Sequence, residues 1–168
     1  LRWGKVADTG KIASEKKEKN LLTMRGRCAI YYAVNHSSPM QNSIITAILA
    51  GNSTFTLASK ATGAHVTFKV RKGESDDAPH FVSVLTGQDN ERNFTYLGTI
   101  FNGATYRHGK RSTMTPDAKS AKAFAWLWES LSKGADISKA ADFLPSSSCA
   151  RCGRKLTVPA SIGANYGP

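Results

Sequence analysis

Phe55-Thr-Leu-Ala58, then Thr62-Gly63, then Val66-Thr-Phe-Lys-Val-Arg71 stand in this order in the first half of the chain. Phe55 and Leu57 alternate with Thr54, Thr56 and Ala58; Val66, Phe68 and Val70 alternate with Thr67, Lys69 and Arg71. A period of two puts every second side chain on one face of a strand, and the glycine between the runs permits a tight reversal. The stretch predicts an antiparallel hairpin, and with it a sheet.

The same signals continue downstream. Gly73 to Pro79 reads as an acidic loop and Phe81 to Leu85 as a strand that ends at Gly87-Gln-Asp-Asn90. Phe94 to Phe101 reads as another strand, with Asn102-Gly103 as the turn before a short segment, Ala104 to His108. Upstream, Ser37-Ser-Pro39 is a helix start, and Ile44, Ile45, Ile48 and Leu49 share one buried face before Gly51-Asn52 stops the helix. Leu21 to Val34 is rich in strand formers around Cys28, Ile30, Tyr31 and Tyr32, and residues 1–20 read as a basic tail or linker. Thr115-Pro116-Asp117 opens the best helix, over 116–133, which Gly134 ends; Ala121, Phe124, Ala125, Trp128 and Leu131 fall on its core side. A short helical piece, Ile137 to Leu144, follows and stops at Pro145. These elements predict an α+β fold: an antiparallel sheet of meander and hairpin connections, helices on one face, and a small cysteine module. The tail covers 1–20, the core domain 21–145 and the cysteine module 146–168.

The composition, 40% hydrophobic and 21% charged, is that of a folded domain. No run approaches the roughly 18–20 apolar residues that a bilayer span needs, and no charged-then-apolar leader is visible. Three cysteines cannot close a disulfide framework, so the expected setting is the reducing cytoplasm, with a metal or redox role for Cys149 and Cys152.

Charge decides the expected partner. The net value is +11. Residues 1–27 carry eight Lys/Arg against three acids, residues 28–104 five of each, and residues 105–155 ten against four. The flanks read as contact surface and the neutral middle as scaffold. A polyanion, DNA or RNA, is the partner such flanks attract, through counterion release.

Three clusters are candidate contacts. Arg107, Lys110 and Arg111 sit in the glycine-containing segment Tyr106 to Ser112, a plausible phosphate grip. On the 116–133 helix, Lys119, Lys122, Trp126 and Lys133 fall within an arc of about 60° opposite the core side. The lysines there suit phosphates, and the indole either stacks on a base or packs beneath another segment. The third cluster is Arg151, Arg154 and Lys155 around Cys149-Ala-Arg-Cys152-Gly153. Two residues between cysteines let both thiolates reach one Zn²⁺ from a tight turn. The pair is half a site; Cys28 and histidines 36, 65, 80 and 108 are the other candidate ligands, none with paired spacing. His108 has no sequence-adjacent carboxylate pair or nucleophile, so no enzyme is expected.

Cys149-Ala-Arg-Cys152-Gly153-Arg154-Lys155-Leu156-Thr157, with Pro159-x-Ser161-Ile162 and Gly167-Pro168, resembles an uncharacterised family of bacteriophage and bacterial proteins. Its zinc-knuckle-like module reads roughly CxxCGRxLTxPxSIxxGxGPxC. A looser likeness upstream, through Val84-Leu-Thr-Gly87 and Tyr96-Leu-Gly-Thr-Ile100, extends the resemblance over roughly residues 80–168. It implies that Cys149 and Cys152 are zinc ligands and that a further cysteine follows the Gly-Pro pair, beyond Pro168. Together these readings point to a phage-type nucleic-acid-binding protein of low sequence specificity. The alternative is a phage effector that docks on and inhibits a host nucleoprotein complex in defence.

Overall fold

The computed structural model describes residues 39–75 and 77–167, all within one compact unit, Ser37–Pro168. The readings over residues 1–38, the tail, the strand in 21–34, Cys28 and His36 among them, lie outside the described residues.

Helix α1 (Pro39–Ile48) leads into strands β1 (Asn52–Ser59), β2 (His65–Lys72), β3 (His80–Leu85), β4 (Phe94–Phe101) and β5 (Thr105–His108). Helix α2 (Lys119–Ser132), strand β6 (Ala141–Pro145) and helix α3 (Pro159–Ala164) complete the chain. The six strands form one antiparallel sheet in the order β5-β4-β3-β2-β1-β6. The hairpin predicted at 55–71 is β1–β2, inside the sheet, with Phe55 opposite Phe68 and Leu57 opposite Val66. The turn into β5 has Asn102 and Gly103 at φ 51° and 62°, and Ala104 N–H donates to the Phe101 carbonyl at 3.0 Å. Those are the two left-handed residues of a type I′ hairpin turn, the form that an Asn-Gly pair favours.

Register sorts the strands' side chains into two faces. One face carries Phe55, Leu57, Phe68, Val70, Val82, Val84 and Ile100, all buried. Against it lie Ile44 and Ile48 of α1 and Phe124, Leu127, Trp128 and Leu131 of α2, in one core cluster. Phe124 is the keystone, with ring centroids 5.2 Å from Phe68 and 4.8 Å from Tyr106. The Trp128 indole N–H donates to the Ala104 carbonyl at 2.9 Å and ties α2 to the β4–β5 turn. Gly98 stands opposite Val82 of β3, beside a register shift at Val82/Ser83, and opposite His108 of β5. A Cβ there would stand 2.5 Å from the Arg107 carbonyl and 2.7 Å from the Tyr106 ring, so glycine makes room for that ring to reach the core.

Three expectations need correction. Helix α2 starts at Lys119, because Thr115 to Ala118 form a turn, closed by Ala118 N–H donating to the Thr115 carbonyl at 3.1 Å. Ala125 is exposed and Leu127 buried, because the core side is centred nearer Phe124 and Leu131 than the original arc assumed. The helical piece at Ile137–Leu144 is a single turn followed by β6. Ala141 N–H reaches back to the Ile137 carbonyl, and the chain then extends and pairs with the edge of β1. Phe143 settles opposite Leu57 with its ring 4.7 Å from Phe55, so edge pairing and core contact outweigh the local helical pattern.

Candidate nucleic-acid interface

The face of the sheet turned away from α1 and α2 is where cations and aromatic rings meet. Across it Arg71 stands opposite Phe81, Phe81 opposite Thr99, and Thr99 opposite Arg107. One step along, Lys69 stands opposite Ser83 and Ser83 opposite Tyr96. Phe81 and Phe101 are 43% and 42% exposed, although large rings usually bury. Arg107 lies over the Phe101 ring at 5.8 Å and Lys69 over Phe94 at 5.2 Å, each a cation held on an aromatic face. Tyr96 packs beside Phe81, and its hydroxyl shares a 2.6 Å hydrogen bond with that of Thr99. From β2 to β5 no described residue on this face is acidic. The described acids of the neutral middle, Glu74, Asp77, Asp89 and Glu91, sit in the loops at its margins. Asp89 is occupied locally: the N–H groups of Glu91 and Arg92 donate to its carboxylate at 2.9 and 3.2 Å and hold its pKa below the usual range.

Lysine 69, Arg71, Phe81, Phe94 and Phe101 were not among the expected site residues. Their signal is strand parity: Lys69 and Arg71 are the outward partners of Phe68 and Val70. A charge total over 28–104 conceals this, because it cancels outward strand cations against loop acids.

The predicted clusters do not converge on one surface. Arg107 belongs to β5 and points to the open face; Lys110 and Arg111 are exposed in the turn that follows. The segment 106–112 is therefore half strand rather than a free loop. His108 Nε2 lies 2.9 Å from the Met114 carbonyl oxygen, and the Ser112 hydroxyl donates to the Tyr96 carbonyl, which pins the turn. Lys119, Lys122 and Trp126 lie on α2 and Lys133 caps its end, across the sheet from the open face. Two of these lysines are spoken for: Lys122 pairs with Asp117 at 3.0 Å and Lys133 with Glu129. Trp126 is 40% exposed and lies in a groove of about 650 Å³ between α2 and the β1–β2 turn, with Leu57 and Val66 in its wall and Lys60, Lys119 and Lys139 at its rim.

The cysteine turn is well formed. Cys149 N–H donates to the Arg154 carbonyl at 2.8 Å, Gly153 N–H to the Cys149 carbonyl at 2.9 Å, and Gly153 takes φ 71°. Backbone N–H groups of Gly167, Arg151 and Cys152 face the Cys149 sulphur, with a smaller contribution from the Cys152 side chain, and bring its thiol down to about 7. Donors aimed at sulphur favour thiolate, the form that binds metal. Asn165, where the resembled pattern has glycine, holds φ 56° and caps α3. Asparagine is the residue that best tolerates that left-handed position after glycine. Its carbonyl accepts the Ala150 N–H at 2.9 Å, so the cap and the cysteine turn are one piece. Leu156 and Thr157 carry this module onto the sheet: the buried Thr56 hydroxyl donates to the Thr157 carbonyl at 3.0 Å. Arg151 and Arg154 are exposed on the turn, and Lys155 lines a groove with Lys69, Phe94, Thr54, Arg92 and Glu91 at the edge of the open face.

Residues 139–168 match the model of a family of unknown function (DUF6011). The match covers β6 and the cysteine module, a shorter stretch than the resemblance over 80–168. No curated protein and no solved structure matches the chain. Among the described residues no helix is long and apolar enough to cross a membrane.

Proposed function

We propose that the chain binds nucleic acid, DNA or RNA, by gripping phosphates through a cationic surface with little sequence specificity and no reaction of its own. One observation carries this: Lys69, Arg71 and Arg107 stand on a face whose β2–β5 strands bear no described acid, with Lys155 at its edge. Such segregation favours a polyanion along these strands, where scattered surface charge would not; Glu91 shares the edge groove with Lys69 and Lys155. In this reading the chain is phage-encoded and works in the cytoplasm of the host. Binding to a short oligonucleotide should weaken linearly in log–log form with salt. Four phosphate contacts at about 0.7–0.9 each give a slope near −3. A flat salt dependence, or no binding at low salt, overturns the reading. The second reading, docking on a host nucleoprotein complex, is favoured by the Trp126 groove, whose apolar wall and lysine rim suit an acidic protein segment.

Cys149 and Cys152 serve, in the same proposal, as two thiolate ligands of a structural zinc that would staple the module's turn. The described residues fit half of such a site: both thiols are free and share one turn, and the Cys149 sulphur is faced by three N–H groups. No third His, Cys, Asp or Glu joins them among the described residues. The resembled pattern puts its next cysteine two positions past the Gly-Pro pair, and Gly167 is already at the Cys149 sulphur. Metal analysis of a chain that carries that position, prepared without chelator, should find about one zinc per chain. Cys149→Ser or Cys152→Ser should remove it. A zinc-free protein refutes the assignment.

A further inference from the structure

Exposed rings need a reason. Phe81 and Phe101 are diagonal neighbours on β3 and β4, on the same open face. Leaving two phenylalanine rings part-exposed forfeits part of the gain of burial, and an apolar patch rimmed by polar groups marks a contact site. What covers this patch is set by its rim. Arg71 is the direct cross-strand partner of Phe81, Arg107 lies over Phe101, and Lys69 is one step away over Phe94. The partner must therefore offer negative charge and flat apolar faces in alternation. An unpaired nucleic-acid strand does so, because phosphates run beside bases whose π-faces are open. A duplex offers only the phosphates, since its base faces are stacked inside.

We infer that the open face of β2–β5 binds single-stranded nucleic acid, with Phe81 and Phe101 stacking on unpaired bases and Lys69, Arg71 and Arg107 on the flanking phosphates. This rests on the nucleic-acid reading above and narrows it. The three strand spacings from β2 to β5 span about 14 Å, room for roughly two or three bases, as on other sheet surfaces that read single strands. The stacking aromatics are thus on the sheet, and Trp126 of α2 is not one of them.

The test measures binding of a labelled mixed-sequence 12-nucleotide strand, and of the matching duplex, by fluorescence anisotropy at equal salt. The single strand should bind more tightly. Phe81→Ala and Phe101→Ala should each weaken single-strand binding about 5- to 150-fold, the span of one stacked base, and leave duplex binding and the melting temperature nearly unchanged. Phe81→Leu and Phe101→Leu keep apolar bulk without the π-face, so they should lose most of the same affinity in a protein whose packing is undisturbed. If the phenylalanine variants bind the single strand like the parent while Arg71→Gln with Arg107→Gln weakens both ligands equally, the stacking inference falls and phosphate binding stands. If none of these variants alters binding but salt still does, this face is not the site, and again only the inference falls. If neither ligand binds at low salt, the nucleic-acid reading falls with it.

Discussion

Phe124→Ala will lower the stability of the fold by about 3–5 kcal/mol, the usual cost of truncating a fully buried phenylalanine. Phe124 has no exposed surface and its ring contacts Phe68 of β2, Tyr106 of β5 and Trp128 one turn along α2. Removing it opens a void between the helix and the middle of the sheet. Neighbours cannot collapse into that void, since Phe68 is locked in the β1–β2 ladder and Trp128 by its hydrogen bond to Ala104. Trp128→Ala should cost a similar amount and also remove the indole hydrogen bond to the Ala104 carbonyl. Trp126→Ala, on the outer side of the same helix, should cost far less. Urea unfolding followed by circular dichroism reads all three. A Phe124→Ala protein with the parent's midpoint would mean that α2 does not dock on the sheet as described.

This contrast within one helix was legible in the sequence. Phe124, Trp128 and Leu131 recur at helical spacing, and that spacing alone assigns them to the core. The hairpin at 55–71 was equally plain, because alternation over two runs with a glycine between them has few other solutions. What escaped was non-local. Strand β6 has no alternating pattern of its own; it exists because the edge of β1 leaves backbone groups that Ala141 to Pro145 can pair, and nothing near 141 announces that. The α2 lysines were legible as an exposed stripe, but their ion pairs depend on Asp117 and Glu129 lying within reach, which a helical projection of the lysines alone does not weigh. The largest omission was the open face. Summing charge over a segment discards position, and position is what separates Lys69 and Arg71, outward on strand β2, from Glu74 and Asp77, in the loop after it. The cysteine turn was legible from its spacing, whereas its docking onto Thr56 was not, since a buried threonine reads like any other strand residue.

Changing Lys69, Arg71 and Arg107 together to glutamine should flatten the salt dependence of nucleic-acid binding by about 2–3 units of slope, close to the whole effect expected of this surface. Changing Lys119, Lys122 and Lys133 together should flatten it by less than about one unit. The difference follows from what each cation already faces. Lys122 stands beside Asp117 in the turn before α2 and Lys133 beside Glu129, so a phosphate would have to compete with those carboxylates for them. Lys69 and Arg107 lie on aromatic rings, which hold a cation in place without cancelling its charge, and Arg71 is exposed beside Phe81. None of the six side chains is in the core, so neither triple variant should shift the melting temperature by more than a few degrees. Salt titrations of the two variants against the parent decide the matter. Equal slopes for the sheet variant and the parent would remove the open face from the interface. A larger loss from the helix variant would move the contact surface to α2, where the Trp126 groove would become the place to look for the partner.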